Sequence, residues 1–292
     1  MTNRFVFSDA VMYAFLTVIS LVCLLPMLLI FITSLTPEEL IVANGFSFFP
    51  ETLSLHAYQN IMRNSESIIR SYGVSIIVTV VGTFLAVLIT ACAAYTLSNK
   101  NVHYRGALSL YFFFTMIFSA GLVPWFIMCT RLGLRNNLAA LIVPSLMFSV
   151  FELFLVRNYM NGIPTSLMES AKMDGAGDAT IAFRIYFPLC VPVLAAISLF
   201  YALGYWNNWF NAIMLVENRR LFPLQFLLFQ IQSDMSALAE LMDVGHNPGG
   251  LLAPQESVKM ATSIVTIGPI ILLYPFLQRY FVTGLVIGSV KG

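Results

Sequence analysis

The sequence predicts an all-α membrane protein with six transmembrane helices and both termini on the cytoplasmic side. Three observations predict it. Hydrophobic residues make up 59% of the 292 and charged residues only 10%, whereas a soluble domain carries roughly a quarter charged. The charges also leave long gaps. None falls between Asp9 and Glu38, Arg70 and Lys100, Arg105 and Arg131, Arg184 and Glu217, or Lys259 and Arg279, and Glu152 alone interrupts Arg135 to Arg157. Finally, each gap approaches or exceeds the roughly 20 apolar residues that carry a helix across a bilayer, and in hydrocarbon a helix satisfies its own backbone.

The first span is Ala10–Leu35. Its apolar run is too long for a signal-peptide core and no small-x-small cleavage pattern closes it, so it is expected to stay in the membrane. The others are Ser71–Leu97, Ala107–Cys129, Leu138–Val156, Ile185–Asn208 and Ala261–Val282. Pro26, Pro124, Pro144, Pro192 and Pro269 fall inside spans, where neighbouring helices are expected to absorb the kinks. Residues 1–70 then form one helix plus an outer loop, and 71–292 a five-helix core with an inner loop at 157–184.

Charge supports this orientation modestly. With both termini inside, Arg4, Lys100, Arg105, Arg157, Lys172, Arg184, Arg279 and Lys291 are cytoplasmic, eight of the 15 basic residues. Long translocated segments have little say in topology, which leaves Arg131 and Arg135 as the main opposing pair. A net charge of +1 excludes a strongly basic nucleic-acid binder. Cys23, Cys92, Cys129 and Cys190 lie far apart inside apolar segments and read as buried small hydrophobes, not as a zinc site or disulfide framework. His56, His103 and His246 stand alone, so no metal site is expected.

The inner loop is the informative stretch. It carries Arg157, Glu169, Lys172, Asp174, Asp178 and Arg184, more charge than a plain connection needs. Pro164 and Ser166 start a short helix, Leu167, Met168 and Ala171 repeat at helical spacing, and Gly175 and Gly177 stop it. A second amphipathic segment, 179–186, leads to Pro188 and the fifth span. Two readings fit such a helix–glycine–helix element: a docking surface for a soluble partner, or an interfacial helix lying on lipid.

The residues Glu169-Ser170-Ala171-Lys172-Met173-Asp174-Gly175, followed after nine residues by Ile185-Tyr186-Phe187-Pro188, resemble the EAA–G–I–L–P signature of ABC importer permeases. Ser170 replaces an alanine and Phe187 a leucine of that pattern, both mildly. Asp174-Gly175-Ala176, the Trp206-Asn207 pair and Gly284, Gly288 and Lys291-Gly292 are similar to the carbohydrate-uptake, maltose-type branch. The resemblance implies a type I ABC importer permease fold in a bacterial cytoplasmic membrane. It implies that Ser166–Gly177 is a coupling helix seated on a cytoplasmic ATP-binding subunit, with Glu169 at the contact. Met168, Ala171 and Met173 would supply apolar contact, and Gly175 the turn that lets two helices approach. It further implies a second permease, usually related but distinct although a homodimer remains open, two ATP-binding subunits holding ATP and Mg, and an external sugar-binding protein. The chain itself is expected to bind no nucleotide or other cofactor and to catalyse nothing. It has no phosphate loop, and Gly245–Gly250 lacks the lysine of one.

Sugar sites pair aromatic faces with a few placed polar groups. Tyr201, Tyr205 and Asn208 share one helical face within the cluster Tyr201–Asn211, and fit such a site or an aromatic belt at the membrane surface. Glu152 is the one carboxylate inside a span. Placing it there costs about 2.5–3.5 kcal/mol on insertion scales, so it faces either the translocation pathway or a buried interhelical hydrogen bond. Arg157, five residues on, is poorly spaced to pair with it on one helix. Arg219 and Arg220 face a binding protein, an anionic sugar, or simply solvent. The segment from Pro254 onward is similar to permeases for plant- and algal-type oligosaccharides, which implies acidic or complex substrates such as alginate or other uronate chains. The rival function is an ATP-independent secondary transporter or facilitator. That would call for several ionisable residues in the spans and normally both repeats in one longer chain.

Overall fold

The computed structural model of the chain describes residues 7–63, 65–144, 147–243 and 256–268, and all regular structure among them is helical. The glycine-rich stretch 245–250 with His246, the greater part of the sixth span and the terminal residues from Gly284 lie outside the described residues.

Among the described residues, two helices are long and apolar enough to cross a membrane: Ala10–Ser34, at the heart of a helix over Phe7–Ser34, and Glu66–Ser98, within Ser65–Ser98. The first continues through Pro26. Its hydroxyls turn back on their own helix, Thr17 Oγ1 donating to the Tyr13 carbonyl at 2.8 Å and Ser20 Oγ to that of Leu16 at 2.8 Å. Those bonds let polar side chains sit in an apolar surround. The second buries a small-residue face, with Ser75, Ala86, Thr90, Ala91 and Ala94 all inside. Small residues let helix backbones approach closely.

The third, fourth and fifth spans are not the continuous helices their apolar runs suggest. Ala107–Cys129 is two helices, Arg105–Ile117 and Leu122–Arg131, meeting at 115°. Pro124 lacks the N–H that would bond residue 120, so the chain breaks ahead of it, and Gly121 at φ 87° makes the turn. Leu138–Val156 divides into Ala139–Ile142 and Val150–Asn161, with Pro144 in the gap. The fifth begins earlier than its apolar run, as Asp178–Leu189, and bends by 82° into Val191–Trp206 between Pro188 and Pro192. Counting each bent pair as one span raises the crossing helices among the described residues to four. A helix over 256–268 leads into the sixth apolar run. The helix therefore runs on through an exposed Pro26, whereas Pro124, Pro144 and Pro192 mark real breaks.

The described residues fall into two compact units. One takes in residues up to Glu66 together with 228–268. There the Glu38 carboxylate caps the helix at 256, accepting from the Glu256 and Ser257 N–H groups at 2.9 Å each and from Ser257 Oγ at 2.8 Å. That satisfies N–H groups a helix start leaves open. The other unit, Ser67–Leu227, packs Val150–Asn161 against Arg105–Ile117 and against Val191–Trp206. Leu97, Leu153, Val156, Met160, Ile181 and Ile197 form its interior. Cys129 and Cys190 are buried as expected, but Cys23 and Cys92 lie exposed on the surfaces of the long apolar helices.

Candidate functional site

The inner loop folds as a tight two-helix element. Helix Thr165–Met173 follows Pro164, whose fixed φ of −58° suits a helix entry. It ends in a Schellman turn: the Ala176 N–H reaches the Ala171 carbonyl at 2.9 Å, the Gly175 N–H reaches that of Lys172 at 3.0 Å, and Gly175 sits at φ 82°. A Cβ on Gly175 would meet nothing within 4 Å, so the demand for glycine is one of backbone hand, not of space. Gly177 takes no part in stopping the helix. Its φ of −73° is ordinary, and it caps the start of Asp178–Leu189. Across the turn, Lys172 Nζ pairs with Asp178 at 3.3 Å.

Exposure divides this helix in two. Met168 and Ala171 are buried in the protein's own fold, and so cannot offer the apolar contact to a partner that the resemblance assigned them. Their burial holds the helix to the core. The apolar surface it presents is Met173, 88% exposed, with Leu167 beside it. Glu169, Ser170 and Asp174 are exposed on the same short segment.

The second arm contains a π turn over Ala182–Tyr186, in which the Phe187 N–H bonds the Ala182 carbonyl five residues back. Pro188 follows at once, and its ring crowds the carbonyl four residues earlier; a widened turn makes room for it. Ile185 lies half-buried within the turn and Pro188 is exposed. Tyr186 meets Tyr95 edge to face, ring centroids 5.2 Å apart at 76°, a favoured aromatic geometry. Tyr95 belongs to the last turn of the second long helix, so the loop is fastened to a membrane span by a residue the sequence did not single out.

The broken fourth span is repaired from the fifth. Tyr205 Oη donates to the Ile142 carbonyl at 3.0 Å, and Asn211 Nδ2 donates to that of Pro144 at 2.9 Å. The Ser149 N–H donates to Tyr201 Oη at 3.1 Å, and that hydroxyl also shares a 2.8 Å hydrogen bond with Thr90 Oγ1. The bonds to Ile142, Pro144 and Ser149 take up backbone groups freed by the break, as any buried backbone requires. Tyr201 and Tyr205 are thus buried and committed to holding Ile142–Ser149. They lie on one face, as their spacing implies, but neither hydroxyl is free for a sugar. Asn208 accepts from the Asn211 N–H at 3.1 Å and keeps a buried Nδ2 with no partner among the described residues.

Glu152 follows Ser149 in an S-x-x-E order that often makes a reciprocal helix cap. The cap is not made. The Ser149 N–H goes to Tyr201, and one Glu152 carboxylate oxygen is buried with no hydrogen-bond partner among the described residues. Arg157 does not answer it. Its guanidinium lies 5.9 Å from the Phe154 ring, a cation–π arrangement.

At the far side of the break, Arg135 forms an ion pair with Glu217. Asn136, at φ 55°, accepts from the Glu217 and Asn218 N–H groups at 3.3 and 2.8 Å, and its own N–H donates to the Leu215 carbonyl at 2.7 Å. Asparagine tolerates that left-handed conformation better than most residues. Arg219 and Arg220 are exposed on a short 3₁₀ turn. No group of three or more His, Cys, Asp or Glu among the described residues is arranged to hold a metal.

Residues 82–286 match the family described as binding-protein-dependent transport system inner membrane component. The chain is 38% identical to the polygalacturonan/rhamnogalacturonan transport system permease protein YtcP of Bacillus subtilis, covering 97% of this chain and 98% of that one. It is 28% identical to the arabinooligosaccharides transport system permease protein AraQ of Halalkalibacterium halodurans, over 94% and 93% of the two chains. Among solved structures it resembles, with a TM-score of 0.82 and 29% identity, a chain of a bacterial ABC transporter involved in the import of the acidic polysaccharide alginate, covering 96% of this chain and 100% of that one.

Proposed function

This chain belongs to the family of binding-protein-dependent transport system inner membrane components, and on that premise we propose that it forms half of an ATP-driven import pathway for acidic oligosaccharides. It is a multi-pass permease subunit of an ABC sugar or oligosaccharide importer, a transport component and not an enzyme. Such a permease works with a second permease, ATP-binding subunits and a solute-binding protein. In the proposed arrangement the chain crosses a bacterial cytoplasmic membrane six times with both termini inside. Residues 1–70 form a peripheral helix and outer loop, and 71–292 the pathway-forming core. The second permease is a related but distinct subunit, and ATP and Mg are held by the two cytoplasmic ATPases.

The observation that carries this reading is the two-helix inner element with its left-handed Gly175 turn. Glu169 and Met173 stand exposed on it, and Met168 and Ala171 anchor it. We assign it as the coupling helix, with Glu169, Ser170, Met173 and Asp174 facing the ATPase. Ala171, Gly175, Ile185 and Pro188 shape the element. When ATP binding closes the ATPases, a push on Thr165–Met173 passes through the Schellman turn and the Lys172–Asp178 pair to Asp178–Leu189. That segment meets Val191–Trp206 at 82°, and the latter's Tyr201 and Tyr205 hold the break in the fourth span. Movement at the inner face thereby reaches the middle of the pathway along hydrogen-bonded parts.

The substrate assignment rests on two similarities, one to a polygalacturonan/rhamnogalacturonan permease and one to an alginate importer. Both names denote uronate-containing chains. Glu152 and Asn208 keep polar atoms without partners among the described residues, and they are the groups proposed to meet sugar hydroxyls. A carboxylate in this place would repel a uronate carboxylate but can accept from its hydroxyls.

Two measurements test the proposal. Glu169→Lys should abolish co-purification of the ATP-binding subunits and ATP-dependent uptake, while leaving the permease folded; retained assembly and uptake would reject the coupling role. Transport into proteoliposomes with the cognate binding protein, run over a panel of neutral and uronate oligosaccharides, should show ATP-dependent uptake of the uronates.

A further inference from the structure

We propose that Tyr95 is a positioning residue of the transport cycle. Its ring, set against Tyr186, is the contact through which movement of the two-helix inner element enters the second long helix, Ser65–Ser98. The proposal rests on the assignment of Thr165–Met173 as the coupling helix, and not on the substrate.

The inner element has two exits into the rest of the fold. One follows the chain, from Asp178–Leu189 through an 82° bend into Val191–Trp206, with Pro188 ahead of the joint and Pro192 behind it. Neither proline has an N–H, so each removes a bond from the helix ladder there. A push along the first segment is turned aside at that joint and partly absorbed. The other exit runs sideways. Tyr186 closes the π turn Ala182–Tyr186, and its ring meets that of Tyr95 edge to face, centroids 5.2 Å apart at 76°. Both residues are buried, Tyr95 at 8% and Tyr186 at 5% exposure. Rings packed to interior density resist compression and pass on strain, which makes this contact a stiff route beside a compliant one. The Tyr95 hydroxyl takes no part in it. That oxygen is buried with no hydrogen-bond partner among the described residues, so the ring alone makes the contact.

The receiving helix can use the displacement. Tyr95 lies in its last turn, where its carbonyl accepts from Ser98 Oγ at 2.9 Å and from the Asn99 N–H at 3.1 Å. The helix end is thereby closed, and Ser65–Ser98 runs through 34 residues with no proline. Rigid elements of this kind carry coupling between distant places. Farther back along the helix, Thr90 Oγ1 shares a 2.8 Å hydrogen bond with Tyr201 Oη, and the backbone of Gly82 lies against the Tyr205 ring. Those are the two tyrosines that hold Ile142 and Ser149 at the break in the fourth span. A helix displaced at Tyr95 therefore moves the parts that hold that break.

The test reads movement of the second long helix in the full transporter in lipid nanodiscs. Cys92, exposed three residues before Tyr95, carries a bimane label attached before assembly. Cys23→Ala removes the other exposed thiol, and Cys129 and Cys190 are buried. Trapping the ATPases with ATP, Mg and vanadate should shift the bimane emission. Tyr95→Leu should lose that shift and lower several-fold the oligosaccharide taken up per ATP hydrolysed, while the ATP-binding subunits still co-purify and still hydrolyse ATP. Tyr95→Phe, which keeps the ring, should retain both readouts. Tyr186→Leu removes the same contact from the other side and serves if Tyr95→Leu does not fold. An emission shift and a transport yield that survive Tyr95→Leu would overturn the proposal, as would equal losses in Tyr95→Leu and Tyr95→Phe. Failure of the underlying assignment reads differently, as ATP-binding subunits retained by Glu169→Lys.

Discussion

The ring of Tyr205 lies directly on the backbone of Gly82, so closely that a Cβ at residue 82 would come 2.5 Å from the ring's Cζ. The ring has nowhere to go. Tyr205 is 2% exposed, and its hydroxyl holds the Ile142 carbonyl. Gly82→Ala should therefore cost about 1–3 kcal/mol, the usual range for an overfilled core, and lower the melting temperature of the purified transporter. The double variant Gly82→Ala with Tyr205→Leu should be more stable than the two single losses imply. Strict additivity in that cycle would show that the close contact is not what residue 82 serves.

Gly175 is a glycine for the opposite reason, since space around it is open but its φ is 82°. Alanine there should pay about 1–2 kcal/mol for the left-handed conformation, loosening the Schellman turn and weakening retention of the ATP-binding subunits. Asparagine, which adopts this conformation more readily, should retain more of them. Affinity co-purification of the subunits with each variant decides the point. Equal behaviour of Gly175→Ala and Gly175→Asn would remove backbone hand as the cause.

The two-helix loop at 157–184 was legible in the sequence because charge, glycine and proline all write locally: Pro164 opened the helix and, of the two glycines read as its stop, Gly175 closed it. The apolar runs were legible too, but their continuity was not. Hydropathy is blind to a break whose freed backbone groups are satisfied by side chains far away in sequence. At the fourth span those satisfiers are Tyr201, Tyr205 and Asn211, and their shared face was visible while their targets, Ile142, Pro144 and Ser149, were not. Asn136 and Gly82 were missed because a left-handed asparagine and a close approach are tertiary facts. The two faces of helix Thr165–Met173 were half visible: periodicity grouped Met168 with Ala171 but could not say that this face points inward.

That inward face separates two kinds of variant on one short helix. Met173→Asp places a charge on an 88% exposed side chain, so the melting temperature should hold within the scatter of surface changes, about 0.5 kcal/mol, while ATPase retention falls. Ala171→Leu forces bulk into a buried position and should lower the melting temperature first, at an overpacking cost of about 1–3 kcal/mol. If both variants lost assembly with unchanged melting, Ala171 would be a contact residue after all and the burial argument would fail.

Glu152 gives the sharpest choice between pathway and scaffold. One of its carboxylate oxygens is buried with no partner among the described residues, and a charge inside a span costs about 2.5–3.5 kcal/mol on insertion scales. A carboxylate oxygen without a partner among the described residues offsets none of that cost, so Glu152→Gln, which keeps the shape and removes the charge, should leave the melting temperature unchanged or raise it. If the carboxylate receives sugar hydroxyls in transit, the same variant should lower the rate of oligosaccharide uptake, with ATP hydrolysis continuing. Uptake and melting temperature therefore move independently under the pathway assignment. A Glu152→Gln transporter with full uptake and a lower melting temperature would place the carboxylate in a structural hydrogen bond and reject that assignment.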